Sequence, residues 1–137
     1  MDSDMTTSSA PTMRIHLWLE TSSGVLIGQG RLQLLEYIEH TGSLSAAAKA
    51  LGMSYRAAWG KIKSSEKILG IELLEQPGGK GSSAQLSIAA THLISSYKTW
   101  LKNVEQYALE SATEHFGYTP EKYWSIKDLP PPRASHD

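Results

Sequence analysis

Between Ser43 and Ser65 the chain carries Lys49, Arg56, Lys61 and Lys63 and no acidic residue, although Lys and Arg together number 13 against 14 Asp and Glu overall. A local excess of cations in a balanced chain is what phosphate binding requires, because each neutralised phosphate releases condensed counterions. At about 100° of rotation per residue, a helix starting beyond Ser54 gathers Arg56, Trp59, Gly60, Lys63 and Lys67 on one side and Ala58, Ile62, Ser65 and Leu69 on the other. The first set combines cations, a large aromatic ring and a glycine that admits close backbone approach; the second packs inward. Two dispositions fit Trp59: the ring laid over sugars and base edges, or folded back onto Tyr55 and the hairpin that follows.

A basic run alone equally describes a solvated helix face. Its surroundings point further. Ser43 is placed to cap a preceding short helix, in which Leu44, Ala47, Ala48 and Leu51 recur at helical spacing as a small apolar face. Gly52 falls where that helix must end, a position that commonly needs positive φ, and Ser54 caps the next helix. This is a tight helix-turn-helix corner. After Leu69 and Gly70, IELLEQ and SAQLS flank the tip PGGKGS. The segment predicts a hairpin with Gly79, Lys80 and Gly81 at its apex, able to lie along a groove edge and touch phosphate. A nucleotide-binding loop would instead need a helix directly after a Lys-Ser/Thr pair, whereas GGKGSS leads into a strand.

The remaining elements must hold that corner. Residues 1–12 are polar and expected to be disordered. From Met13, apolar Ile15, Leu17 and Leu19 alternate with Arg14, His16, Trp18 and Glu20, and TSSG then VLIG complete a predicted β-hairpin with one buried face. Arg31–Thr41 is predicted as a helix with Leu34, Leu35 and Ile38 inward and Gly42 ending it. The domain so defined covers residues 13–87. Ser65 occupies an inward position where a larger apolar residue would pack better, and a wing with a single cation implies modest affinity.

Ser87 is placed to cap a long helix over residues 88–116, roughly 40 Å at 1.5 Å per residue. Ala90, Ile94, Tyr97, Leu101, Val104 and Ala108 form a seam suited to pairing with another helix, and Leu93, Trp100 and Tyr107 make an adjoining stripe. Part of this surface covers the domain. The rest, at Ile94, Tyr97, Trp100, Leu101, Val104 and Ala108, is the expected interface of a two-fold homodimer whose recognition helices reach successive major grooves of double-stranded DNA, on an inverted-repeat operator. Acids outnumber bases from Glu105 onward, which turns this end away from DNA. The fold class is therefore mainly α with small β: a winged helix-turn-helix preceded by a β-hairpin and followed by a long dimerisation helix, with residues 117–137 as a tail.

Other chemistries find little support. The chain has no cysteine, which excludes a disulfide framework and any thiolate metal site. His16, His40, His92, His115 and His136 are scattered with no i, i+4 pair, so no metal is assigned and no cofactor is expected. Glu36 with Glu39, or His92 with Ser95 and Ser96, lie at ordinary surface-helix spacing without an oriented partner or oxyanion donor, and no enzyme is expected. No apolar run approaches the roughly 20 residues of a membrane span, and the polar start lacks the order of a secretion signal. A cytoplasmic protein follows. The competing reading is a winged-helix module for protein–protein interaction without DNA binding, which the formal net charge of −1 favours.

Residues from about Met13 to His115 resemble the N-terminal DNA-binding domain of ModE-type molybdate-responsive regulators, and more distantly the winged helix-turn-helix of LysR-type regulators. The strings TGSLSAAAKALGMSYRAAWGKI and GGKGSSAQLS carry the resemblance, together with the hairpin ahead of the first helix. It implies a homodimeric transcription regulator with Ser54, Tyr55, Arg56 and Trp59 at the start of the recognition helix and Gly79, Lys80 and Gly81 in the wing. Full-length regulators of this type add C-terminal oxyanion-binding domains. The stretch after Gly117 is too short for one, so a molybdate-sensing domain is not expected and molybdate binding is not carried over. Residue by residue, Arg56 is expected to read a purine edge, with Lys61, Lys63 and Lys80 on phosphates.

Overall fold

A computed structural model describes residues 10–75 and 85–123. The expected wing-tip residues Gly79, Lys80 and Gly81, the first nine residues of the expected disordered start, and the tail from Trp124 lie outside the described residues. Two compact units are present, one of residues 17–97 and one of residues 10–16 with 98–123.

The first unit begins with an antiparallel hairpin, β2 (Trp18–Thr21) and β3 (Gly24–Gly28), paired Trp18 to Gly28 and Thr21 to Gly24. A Cβ on Gly28 would sit 2.9 Å from the Trp18 Cβ, so only glycine lets the strands approach there. The expected alternation holds through Leu17, which is half-buried, and then fails. All of β2 is exposed, including Leu19 at 48%. The register shifts between Leu19 and Glu20, leaving Leu26 as the extra residue on β3.

Helix α1 (Gln29–Thr41) starts slightly earlier than the spacing predicted and buries Leu32, Leu34, Leu35, Tyr37 and Ile38. Gly42 ends it, its amide donating to the Ile38 carbonyl at 2.8 Å. Helix α2 (Leu44–Leu51) buries Leu44, Ala47 and Ala48, and α3 (Tyr55–Leu69) buries Ala58, Ile62 and Ser65. Ala47, Ala48 and Ala58 on these sides are all but fully buried, as the small apolar face required. Strands β4 (Leu74–Glu75) and β5 (Gln85–Leu86) pair antiparallel as the root of the wing.

The inward serine of α3 is not a packing defect. Its Oγ accepts from Arg31 Nη1 at 2.6 Å and donates to the Leu26 carbonyl at 2.8 Å, while the same Arg31 nitrogen donates to the Val25 carbonyl at 2.6 Å. The expectation that a larger apolar residue would pack better at Ser65 is thus corrected. A bulkier side chain would strand the Arg31 guanidinium, whose partial burial already pulls its pKa below the usual arginine value through desolvation. Hairpin, α1 and α3 meet at this one polar node.

Helix α4 (Ile88–Phe116) is capped by Ser87, whose Oγ accepts from the Ala90 amide at 3.0 Å and donates to the Glu72 carbonyl at 2.7 Å. Tyr97 on this helix donates its hydroxyl to the Leu17 carbonyl at 2.7 Å. The second unit contains a pairing the sequence did not announce: β1 (Thr12–Met13) runs parallel to β6 (Glu121–Lys122), with the Arg14 guanidinium 3.8 Å from the Tyr123 ring centroid. The strand expected to run unbroken from Met13 is therefore split, its first residues bonding to the C-terminal segment instead.

In this unit Glu105 is buried, and desolvation raises its carboxyl pKa, with Lys122 opposing. A raised folded-state pKa means that the folded chain holds the proton more tightly than the unfolded chain. The stability this contributes is full below the unfolded value and is lost as pH rises through the folded one. Glu105→Gln, which mimics the neutral acid, is expected to raise the melting temperature at pH 7 and to leave it close to wild type near pH 4. Thermal melts at the two pH values check this.

Candidate nucleic-acid interface

The exposed face of α3 is built from its first residue. Ser54 is extended, with φ −72° and ψ 156°, and its hydroxyl accepts from the Ala57 amide at 3.0 Å. Ser43 does the same for α2, accepting from the Ala46 amide at 3.0 Å. Between them Gly52 takes φ 74° and donates its amide to the Lys49 carbonyl at 3.1 Å. A left-handed residue is needed to close α2 and turn the chain within so few residues, and glycine adopts it without strain. These local bonds fix where α3 begins, and so which residues point out.

Arg56, Trp59, Gly60, Lys61, Lys63 and Lys67 are all exposed, while Ala58 and Ile62 are at 0% and 1% exposure. The helix thus brings the expected basic face together on the surface. The side chains of Arg56 and Lys61 make no hydrogen bond or ion pair with another described residue. Gly60 has an ordinary helical backbone, and a Cβ there would meet nothing within 4 Å. Glycine inside a helix costs about 1 kcal/mol relative to alanine, and no contact within the described chain explains its use.

Of the two dispositions open for Trp59, the fold-back onto Tyr55 is seen, without burial of the ring. Its ring stacks on Tyr55, with centroids 6.3 Å apart and planes at 15°, yet Tyr55 and Trp59 remain 51% and 37% exposed. The Lys63 ammonium lies 4.5 Å from the Trp59 centroid. The sequence reading missed the acid beside this row: Lys63 pairs with Glu66 at 3.0 Å. The i, i+3 spacing was the available signal.

The helical fold and the site segment match known proteins. The family described as bacterial regulatory helix-turn-helix protein, lysR family, matches residues 30–91. This segment is similar to the lysR-family helix-turn-helix. It includes α1, the capped corner, α3 and the start of α4. Over 77 residues the chain is 40% identical to the molybdenum-pterin-binding protein MopB of Rhodobacter capsulatus, covering 55% of this chain and 28% of that one. Over 99 residues it is 34% identical to the transcriptional regulator ModE of Yersinia pestis, covering 71% of this chain and 37% of the other. The chain spans about a third of the length of these curated relatives. The crystal structure of a CbnR DBD–DNA complex superposes with a TM-score of 0.52 at 20% identity, over 65% of this chain and 99% of that one. At that identity the likeness concerns the fold, a winged helix-turn-helix followed by a helix.

The expected pairing seam on α4 is placed differently. Ile94, Tyr97 and Leu101 are 8%, 2% and 2% exposed, so these residues serve the chain's own packing and are not presented to a second chain. Trp100, Val104 and Ala108 are half-buried, and Tyr107 and Phe116 are exposed at 71% and 68%. Helical periodicity identifies an apolar stripe without identifying what covers it, which is why the buried and exposed halves of the seam read alike in sequence. No described helix is long and apolar enough to cross a membrane, and no described cluster of His, Asp or Glu could hold a metal ion.

Proposed function

We propose that the chain is a sequence-specific DNA-binding transcription regulator of the LysR/ModE type, acting on duplex DNA as a homodimer. One observation carries the reading: α3 leaves Arg56, Gly60 and Lys61 exposed, with Lys67, on the helix that follows a capped helix-turn-helix corner. Such a helix enters the major groove with its N-terminal residues against base edges. Arg56 then reads a purine edge and Lys61 and Lys67 sit on phosphates, with Lys80 of the wing as a further contact. Ser43, Ser54 and Tyr55 stand at the helix starts beside the backbone. The relatives support the reading, ModE being a transcriptional regulator and the CbnR structure a DNA complex. The far half of α4 supplies the dimer face through Tyr107, Phe116, Val104 and Ala108 rather than through the residues its first half has buried.

Selection of bound sites from a random duplex library tests the whole reading. The expected result is an inverted repeat with half-sites about one helical turn, 34 Å, or a multiple apart. No enrichment over the starting pool would sink it. The alternative, a winged-helix module for protein interaction, draws on the net charge of −1, and a gel shift against randomised duplex at low salt separates the two.

A further inference from the structure

The Glu66 carboxylate is used at both oxygens. Oε1 is 3.0 Å from Lys63 Nζ, and Oε2 accepts from the Leu73 amide at 2.8 Å and, more weakly, from the Leu74 amide at 3.4 Å. Leu74 opens β4, and the Ser87 amide donates to the Leu73 carbonyl at 2.9 Å. The acid is therefore tied to the root of the wing, and its side chain is only 11% exposed against 50% for Lys63. A surface helix pair is ordinarily loose, because both side chains must be immobilised to form it. Here one partner is already fixed by backbone amides. The ammonium it holds also lies against Trp59, which stacks on Tyr55.

Resting on the DNA-binding reading above, we infer that Glu66 is a positioning residue of the interface. It holds Lys63 back from phosphate and along the aromatic row, so Lys63 orients Trp59 instead of neutralising the backbone. A fixed carboxylate beside Lys63 cancels the charge that a phosphate would meet, so binding releases no counterion there. Anchoring that carboxylate on Leu73 and Leu74 joins the recognition helix to the root of the wing. This revises the expectation that Lys63 contacts phosphate. The cations left to do so on α3 are Lys61 and Lys67, with Arg56 reserved for a base.

Salt titrations of purified full chain on a selected duplex and on random duplex decide the matter. Each phosphate contact contributes about 0.9 to the slope of log affinity against log salt. In wild type, Lys63→Met is expected to leave that slope unchanged while narrowing the preference for the selected duplex, since Trp59 loses its support. Glu66→Gln keeps a carbonyl for the Leu73 amide and frees the ammonium. Its slope should steepen by about 0.9, with random duplex bound about 5- to 10-fold more tightly in 0.1 M salt. Adding Lys63→Met to Glu66→Gln should restore the wild-type slope. A slope that flattens by about 0.9 in Lys63→Met alone makes Lys63 a phosphate contact and overturns the inference, as does an unchanged slope in a folded Glu66→Gln. Lys63 is on the surface, so the first variant remains decisive if Glu66→Gln does not fold. If wild type itself shows no salt-dependent duplex binding, the DNA-binding reading fails and the inference with it, an outcome distinguished by the wild-type control.

Discussion

Ser65→Leu is expected to destabilise the chain by about 3 kcal/mol, combining roughly 1–3 kcal/mol for overpacking with a similar cost for polar groups left unpaired. Hydrophobicity alone predicts the opposite, since Ser65 is 2% exposed on the inward face of α3. The difference lies in its neighbours. Its hydroxyl bonds the Arg31 guanidinium and the Leu26 carbonyl at once, and leucine offers neither a donor nor an acceptor. The guanidinium retains the Val25 carbonyl at 2.6 Å but must then sit against a branched side chain. Denaturant melts of Ser65→Leu, Ser65→Ala and Arg31→Met separate the terms. Ser65→Ala should lose less than Ser65→Leu because it adds no volume. Pairing Ser65→Leu with Arg31→Met should recover part of the loss, because removing both polar partners is cheaper than orphaning one. A Ser65→Leu chain as stable as wild type would show that the node contributes nothing.

That node also marks where sequence reading stops. Capping at Ser43 and Ser54 and the turn at Gly52 were legible because each bond joins residues within a few positions, so the residue types alone carry the information. The outward face of α3 followed from its period, and the structure exposes that same set. Ser65 was misread because its partners lie on α1 and β3, 34 and 39 positions away. Seen on its own helix, a small polar residue in an apolar stripe looks like a gap. The parallel pairing of Thr12–Met13 with Glu121–Lys122 was invisible for a related reason: segments this short have no period, and backbone hydrogen bonds do not depend on residue type. Lys63 was counted as a free cation because helical face assignment separates residues by angle, and Glu66 reaches round from the edge of that face.

The largest functional effect is expected from Arg56→Ala. Arg56 follows the Ser54 cap by two residues, is exposed, and has no partner among the described residues. It stands at the end of α3 that meets base edges in a helix-turn-helix complex. Its planar fork matches the O6 and N7 acceptors of guanine, a bidentate contact worth about 1–3 kcal/mol of discrimination. Removing it should weaken the selected duplex by about 10- to 100-fold while random duplex, held through phosphates, changes much less. Arg56→Lys separates shape from charge. It keeps the cation, so the salt slope should stay near wild type, but an ammonium cannot make the same paired contact. Sites reselected with either variant should lose their preference at one base position in each half-site and keep the others. Lys61→Ala, by contrast, should weaken every duplex alike and flatten the slope by about 0.9. An Arg56→Ala chain that loses selected and random duplex equally would place Arg56 on the backbone, and base reading would then have to come from another residue of the exposed row, with Trp59 the next to test.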